Sequence, residues 1–169
     1  MRVSTICAPV PATASTKRRV TVAVPIHNEA EVIPALLQRV LAVLDATPGG
    51  PHEFLLVDDG SRDNSLALLE AAARRDPRIV VVVLSRNFGH QAALSAAFDH
   101  ATGDVMLLMD GDLQDPPEAL APLLARLDEG HDVVYVRRTR RKEPLWLRAR
   151  GSGCDASAGT PHRLKPIPP

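Results

Sequence analysis

Five short apolar runs alternate with stretches of helical periodicity along this chain of 169 residues. The runs are the predicted strands: Val20–Ile26, Phe54–Val57, Ile79–Leu84, Val105–Met109 and Val133–Val136. They are continuous rather than alternating, which is typical of strands that are covered on both faces. Strands that alternate with helices indicate a mostly parallel sheet. The pattern therefore predicts an α/β fold in which a mostly parallel sheet is flanked by helices.

Four helices are predicted between these runs. The first carries apolar residues at helical spacing, namely Ile33, Leu36, Leu37, Val40, Leu41 and Leu44, before Pro48–Pro51 ends it. The second runs from about Ser65 to Arg75 and the third from about Gln91 to Ala101. The fourth begins at Pro116 and Pro117 and ends at Gly130, since proline suits a first helical turn and glycine a helix end.

The two ends of the chain differ from this regular middle. Residues 1–18 are predicted to be a flexible leader, because Pro9 and Pro11 interrupt their apolar part. Residues 19–136 form the predicted domain. Residues 137–150 are a basic segment, and residues 151–169 are rich in Gly, Ser and Pro and are predicted to be a disordered tail. No stretch approaches the roughly 20 apolar residues that a membrane span needs.

Charge is distributed unevenly, although the formal net charge is zero. Residues 1–136 hold 11 Lys and Arg against 18 Asp and Glu, whereas residues 137–169 hold 9 against 2. A basic segment after an acidic domain suggests an anionic partner: nucleic acid, a phosphorylated substrate or an anionic membrane. A solvated basic tail is the alternative interpretation. The two cysteines, Cys7 and Cys154, form no metal-binding or disulfide pattern, which indicates a reducing, cytosolic compartment.

Polar residues follow the predicted strands and therefore gather at one edge of the sheet, where ligands bind in parallel α/β folds. The sharpest pattern is Asp110-Gly111-Asp112, directly after the fourth strand. Two carboxylates separated by one glycine can face a single Mg²⁺ or Mn²⁺, which in turn neutralises a diphosphate. A helix cap is the alternative role for these residues, and it explains Asp115 but not Asp110 and Asp112.

Asp58 and Asp59 follow the second strand and have two interpretations. They are ordinary turn residues ahead of a helix that Asp63 or Asn64 caps, or they hold a base or ribose together with the later acidic pair. His27 and His90 lack metal-ligand spacing and are interpreted as satisfied polar residues. The sequence contains no Ser/His/Asp set, Walker-type loop or dinucleotide G-x-G-x-x-G motif.

Four motifs, in this order, resemble family-2 glycosyltransferases, and most of all the polyprenyl-phosphate branch that includes dolichol-phosphate mannose synthases and undecaprenyl-phosphate sugar transferases. They are Val24-Pro-Ile-His-Asn-Glu29, Val57-Asp-Asp-Gly-Ser61, Arg86-Asn-Phe-Gly-His-Gln-Ala-Ala-Leu94 and Met109-Asp-Gly-Asp-Leu-Gln-Asp-Pro-Pro-Glu118. The resemblance covers roughly residues 19–145. It implies a Rossmann-like, A-type glycosyltransferase fold and an inverting transfer of sugar from a nucleoside diphosphate to a polyprenyl phosphate, with Mg²⁺ or Mn²⁺.

The resemblance also implies roles for individual residues. Pro25, Glu29, Asp58 and Asp59 would line the nucleotide pocket together with Gly111. Asp110 and Asp112 would be catalytic, and with Gln114 they would hold the metal and the donor diphosphate. Arg138 and Arg141 would meet the acceptor phosphate, since arginine suits phosphate and an ionised acceptor needs cations more than a general base. Nucleic acid is not an expected partner. The expected location is the cytoplasm, with peripheral contact to the inner face of an anionic membrane.

The sequence departs from the family after Arg150. Family members continue with an amphipathic region, and many add transmembrane helices, so the Gly/Ser/Pro-rich end suggests a truncation or frameshift. Two alternatives to an active transferase follow. One is a catalytically incompetent domain that binds nucleotide sugar or a partner without turnover. The other is a receiver-like domain with an acidic metal pocket, which is disfavoured because such domains place their acidic pair after the first strand.

Overall fold

The computed structural model describes residues 2–5 and 18–137. The chain divides into two compact units, Val3–Tyr135 and a second that joins Met1–Arg2 to Val136–Pro169. Most of the second unit lies outside the described residues. Residues 6–17 of the predicted leader, the basic segment after Arg137 and the predicted disordered tail also lie outside them.

The strands of the described chain are β1 (Arg2–Thr5), β2 (Val20–Ile26), β3 (Glu53–Asp58), β4 (Ile79–Val83), β5 (Val105–Leu108) and β6 (Val134–Arg137). Four of them form a parallel sheet in the order β4-β3-β2-β5. Ala23 of β2 lies opposite Leu55 on one side and Leu108 on the other. The central strands β2 and β3 are buried along their whole length, as their continuous apolar sequences predict.

The helices lie close to their predicted positions. They are α1 (Ile33–Ala46), α2 (Ser65–Ala73), α3 (His90–His100) and α4 (Leu120–Leu127), the last preceded by a 3₁₀ turn at Pro117–Ala119. Pro116 occupies the N-cap position of that turn. Asp63, one of the two predicted caps, accepts a hydrogen bond from the Ser65 amide at the start of α2 (2.9 Å). The predicted α/β order is thereby confirmed.

Helices cover both faces of the sheet. One face packs β2 and β3 against the apolar residues of α1, with Leu69 of α2 and Leu120 of α4. The other face packs Ala23, Leu55 and Val57 against Ala93 and Ala97 of α3. Small alanines on this second face allow α3 to lie close to the sheet. Within residues 2–5 and 18–137, none of the helices is long and apolar enough to cross a membrane.

The prediction that the fifth apolar run joins the parallel sheet was wrong. That run corresponds to β6, which forms a two-stranded sheet with β1 instead. The side chains from Val133 to Val136 alternate in exposure, with Val133 58% and Tyr135 39% exposed, a pattern of strands that are covered on one face only. β1 itself lies within the segment that was predicted to be a flexible leader, where Val3 and Thr5 supply β-branched residues.

A buried carboxylate organises the opposite, amino-terminal edge of the sheet. Glu53 is 3% exposed and accepts hydrogen bonds from the Thr21 hydroxyl (2.6 Å) and from both the amide and hydroxyl of Thr102 (3.0 and 2.8 Å). Burial alone would raise the pKa of Glu53, but these hydrogen bonds and the nearby charge of Arg19 hold it below its ordinary value. Since the folded pKa is lowered, the ionised group stabilises the fold above the unfolded pKa.

We expect Glu53→Gln to lower the free energy of unfolding at pH 7 by about 1–3 kcal/mol, because an amide cannot accept all of these hydrogen bonds. The difference in free energy between parent and variant should shrink as the pH falls through the lowered pKa of Glu53, where the parent loses the same contribution. Urea unfolding of both proteins at several pH values measures this difference in the free energy of unfolding. A difference that does not change between neutral and acidic pH would contradict this account.

Candidate functional site

The strand order places a switch point between β2 and β5. From β2 the chain adds β3 and then β4 on one side, and it later returns to add β5 on the other. Ligands bind parallel α/β sheets in the crevice beyond the carboxyl ends of the strands at such a point. The segment that leaves β2 carries Glu29, and the segment that leaves β5 carries Asp110, Gly111 and Asp112. The structure thus brings together four of the residues that the sequence predicted.

Glu29 and Gly111 are in direct contact across this crevice. A Cβ atom added to Gly111 would lie 2.0 Å from Oε2 and 3.1 Å from Cδ of Glu29. Gly111 is buried, whereas Asp110 and Asp112 on either side of it are exposed. The absence of a side chain at residue 111 therefore allows the Glu29 carboxylate to lie against the backbone between the two aspartates.

The electrostatics of Glu29 reflect this crowding. Burial raises the pKa of Glu29, and the negative charges of Asp112 and Asp110 raise it further. Its Oε2 atom is buried and has no hydrogen-bond partner among the described residues. A buried oxygen of this kind is normally satisfied by a bound ligand, an ion or ordered water.

A hydrogen bond within the Asp110–Gln114 turn stabilises its conformation. Oδ1 of Asp112 accepts a hydrogen bond from the amide of Gln114 (2.9 Å), and Leu113 has a positive φ of 57°. The second carboxylate oxygen of Asp112 is not used in that bond. The turn consequently presents the carboxylates of Asp110 and Asp112 to solvent at the switch point.

The two aspartates after β3 have different environments. Asp58 is 1% exposed, and its Oδ2 accepts a hydrogen bond from the Ser61 amide (3.2 Å). Its Oδ1 is buried and has no partner in the part of the chain that the structure describes. Asp59 is 4% exposed, and both of its carboxylate oxygens accept backbone hydrogen bonds from Phe88 (2.8 Å) and Gly89 (2.9 Å). Of this pair, Asp58 therefore retains the unsatisfied oxygen.

Pro25, also predicted to line the nucleotide pocket, is buried within β2 opposite Val57. The prediction that His27 is a satisfied polar residue is confirmed. Its Nδ1–H donates to the carbonyl oxygen of Asp59 (2.8 Å), and its Nε2 accepts from the side-chain amides of Asn28 (3.0 Å) and Asn87 (2.9 Å).

The residues that hydrogen-bond to the Glu29 segment were not predicted from the sequence. The amide of Glu29 donates to the hydroxyl of Ser65 (3.0 Å), the first residue of α2, and the next amide, that of Ala30, donates to Asp63 (3.1 Å). Ser65 is fully buried, although serine at a helix start is usually interpreted as a local cap. The only available signal was its position after the turn-forming residues Ser61–Asn64. Arg138 and Arg141, predicted for the acceptor phosphate, lie outside the described residues.

The carboxylate oxygens of the crevice are suitable ligands for a hard divalent cation. Carboxylate oxygens are the ligands that Mg²⁺ and Mn²⁺ favour, and a cation would relieve the mutual repulsion that raises the pKa of Glu29. Among residues 2–5 and 18–137, no three His, Cys, Asp or Glu side chains are already arranged around a common metal position. The fit consequently rests on the two exposed aspartates and on the unsatisfied oxygen of Glu29.

A protein-family comparison matches residues 21–165 to the model of glycosyl transferase family 2. The chain belongs to that family. Two relatives are undecaprenyl-phosphate 4-deoxy-4-formamido-L-arabinose transferases. The protein from Klebsiella pneumoniae is 43% identical over 130 residues, which is 76% of this chain and 39% of the relative. The protein from Enterobacter sp. is 44% identical over 135 residues, which is 79% of this chain and 41% of the relative. This family-2 chain thus spans about two fifths of the length of these relatives.

Solved structures show the same fold. The mannosyltransferase PcManGT of Pyrobaculum calidifontis, determined with GDP-Man and Mn²⁺, aligns with a TM-score of 0.56 at 31% identity, over 69% of this chain and 33% of that one. Residues 1–349 of S. aureus TarS with UDP align with a TM-score of 0.54 at 32% identity, over 66% and 32%. These neighbours confirm the Rossmann-like, A-type glycosyltransferase fold that the sequence motifs implied for this family-2 member.

Proposed function

We propose that this chain acts as an inverting glycosyltransferase, which moves a sugar from a nucleoside diphosphate to a polyprenyl phosphate, and that its described residues form the donor-binding part. The observation that carries the proposal is the acidic crevice at the switch point, where Glu29 lies against Gly111 between Asp110 and Asp112. The relatives' names supply the acceptor class, undecaprenyl phosphate. The neighbours determined with GDP-Man and UDP support a nucleotide as the ligand.

A divalent cation, Mg²⁺ or Mn²⁺, is part of this proposal. Asp110 and Asp112 would hold it, with Gln114 of the same turn as the third ligand residue, and the ion would neutralise the diphosphate as its bond to the sugar breaks. Asp58 and Glu29, each with an unsatisfied buried oxygen, would face the nucleotide portion of the donor. In this scheme the protein supplies orientation and charge compensation, and the acceptor phosphate, already ionised, needs no general base.

The most direct test of the activity is a transfer assay with labelled nucleotide sugars, undecaprenyl phosphate and Mn²⁺, followed by extraction of the lipid. We expect label in the lipid fraction for the parent chain and none for Asp110→Asn. Label that stays entirely with the nucleotide, in a preparation that binds the nucleotide, would contradict transfer and favour a domain that binds the donor without turnover.

The acceptor phosphate is assigned to Arg138 and Arg141, within the basic segment 137–150. We expect the chain to co-sediment with vesicles that contain undecaprenyl phosphate or other anionic lipid, and to be released as salt rises, since exposed charges are screened. The double variant Arg138→Ala/Arg141→Ala should bind these vesicles more weakly, whereas Arg74→Ala/Arg75→Ala, two exposed arginines at the end of α2, should not. Equal binding by both double variants, or binding that salt does not weaken, would contradict the assignment.

A further inference from the structure

The segment that carries Glu29 is attached to the start of α2 by a series of hydrogen bonds. Three consecutive backbone amides of this segment donate to side chains within residues 61–65: Asn28 to Ser61 (3.0 Å), Glu29 to Ser65 (3.0 Å) and Ala30 to Asp63 (3.1 Å). In return, the amide of Arg62 donates to Oδ1 of Asn28 (2.8 Å). The backbone of residues 28–30 is therefore held by side chains that follow β3, not by its own strand.

The carboxylate of Glu29 lies where neighbouring charges repel it. It contacts Gly111, and the negative charges of Asp112 and Asp110 raise its pKa in addition to burial. Repulsion of this kind favours side-chain conformers that carry the carboxylate away from both aspartates. Something in the fold must therefore restrict where the side chain can go.

The backbone of Glu29 supplies that restriction, because it is bonded on both sides. The amide donates to Ser65, and the carbonyl oxygen accepts from the amides of Val32 (3.0 Å) and Ile33 (3.2 Å) at the start of α1. With both groups engaged, the direction in which the side chain leaves the backbone is fixed. Rotation of the peptide at this residue would break bonds to α1 and α2 together.

Ser65 is the central residue of this arrangement. It is fully buried, and hydrogen bonds from its hydroxyl and its amide lower the pKa of Asp63. A hydroxyl has one proton, and so donation to Asp63 leaves its lone pairs for the Glu29 amide. A serine at a helix start usually serves its own helix, whereas this hydroxyl serves a residue 36 positions away.

The geometry points to Ser65 and Asp63 as positioning residues of the donor site. Together they fix the backbone at Glu29 and so hold its carboxylate against Gly111. They act through Glu29, and they supply no atom to the reaction. This inference rests on the proposed function in that the site they position is the one proposed to bind the donor.

The test follows the contact by NMR and nucleotide binding by calorimetry, in the parent chain, Ser65→Ala and Ser65→Thr. Overhauser contacts between the α-protons of Gly111 and the side chain of Glu29 report the position of the carboxylate without nucleotide. Titration of UDP and GDP with Mn²⁺ reports binding. We expect Ser65→Ala to lose the Overhauser contacts and about tenfold in affinity. Ser65→Thr keeps the hydroxyl and should preserve both.

Thr21→Val is the matched control for a general loss of stability. Thr21 is also fully buried, and its hydroxyl also accepts a hydrogen bond from a backbone amide, that of Gly103 (2.9 Å), at the amino-terminal edge of the sheet. We expect this variant to melt at a lower temperature than the parent, with the contact between Glu29 and Gly111 and the nucleotide affinity unchanged.

If Ser65→Ala does not fold, Asp63→Ala makes the same test, because Asp63 is exposed and supports no core residue. It should lose the Overhauser contacts and about fivefold in affinity. Asp104→Ala is its control, since Asp104 is also exposed and accepts a hydrogen bond from a distant amide, that of Arg19 (2.8 Å), at the amino-terminal edge. It should bind nucleotide as the parent does.

Three results would overturn the inference. The first is an intact contact between Glu29 and Gly111 in the folded Ser65→Ala or Asp63→Ala variant. The second is a lost contact with unchanged affinity, and the third is a Ser65→Thr variant that binds as weakly as Ser65→Ala. A parent chain that binds neither nucleotide would instead refute the proposed function, and the Overhauser contacts would still decide whether Ser65 positions Glu29.

Discussion

Asp112→Asn should weaken the Mn²⁺-dependent binding of UDP or GDP by at least about a hundredfold, because even residues that only support a metal ligand contribute about 10- to 100-fold to metal affinity. Asparagine is chosen over alanine since its carbonyl oxygen can still accept the hydrogen bond from the Gln114 amide, which preserves the turn. Asp112 is exposed and supports no core residue, and so the melting temperature should stay close to that of the parent. Calorimetry with and without Mn²⁺ measures the effect.

Asp99→Asn is the control for this experiment. Asp99 is an exposed carboxylate near the C-terminal end of α3, far along the helix from the Gly89 cap, and its loss changes the net charge equally. Nucleotide affinity should be the same in this variant and in the parent. Equal affinity in Asp112→Asn and the parent would remove Asp112 from the metal site.

Gly111→Ala should abolish nucleotide binding and lower the free energy of unfolding by about 1–3 kcal/mol, the usual cost of forcing extra volume into a packed position. The added methyl group would lie 2.0 Å from Oε2 of Glu29 and 2.9 Å from the end of the Ile26 side chain. Glu29 must therefore leave its place between the two aspartates. Urea unfolding and calorimetric titration measure the two losses separately.

A double-mutant cycle with Glu29→Ala isolates the contact. Since the truncated side chain leaves room for the new methyl group, Glu29→Ala/Gly111→Ala should be more stable than Gly111→Ala alone. Its nucleotide affinity should remain low, because the unsatisfied carboxylate oxygen has been removed as well. Additive losses of stability in the double variant would show that Glu29 and Gly111 are not in contact.

Much of the fold follows from the local sequence. The predicted bounds of β2 and the start of α1 at Ile33 agree with the structure, since a continuous β-branched run and a helical apolar repeat each have few alternatives. The predicted β3 was too short, since Glu53 and Asp58 also belong to the strand and are buried. Hydrogen bonds from Thr21 and Thr102 compensate the carboxylate of Glu53, whereas Ser61 satisfies one oxygen of Asp58. The partners of Glu53 are distant in sequence and therefore leave no local signal.

The residues that form the site could be predicted from the sequence, but the contacts between them could not. The order of strands and motifs indicated that residues after β2, β3 and β5 would share one edge, and the structure places Glu29 beside Asp110 and Asp112. Nothing local distinguished Asp58 from Asp59, since both are ordinary turn residues in sequence. Their different environments arise from the Phe88 and Gly89 amides, which the fold brings to Asp59 from beyond β4. The position of β6 was likewise set by its pairing with β1, which periodicity does not encode.

We expect a divalent cation and a nucleoside diphosphate to bind together in the crevice between β2 and β5. Paramagnetic broadening tests its location: Mn²⁺ is added in small amounts, with UDP or GDP, to the ¹⁵N-labelled parent chain, and Mg²⁺ serves as the diamagnetic reference. The amide signals of Glu29, Gly111 and Gln114 should broaden first, and those of Asp76 and Thr102, at the opposite edge of the sheet, should stay sharp. Broadening centred elsewhere, or spread evenly over the acidic surface, would contradict it.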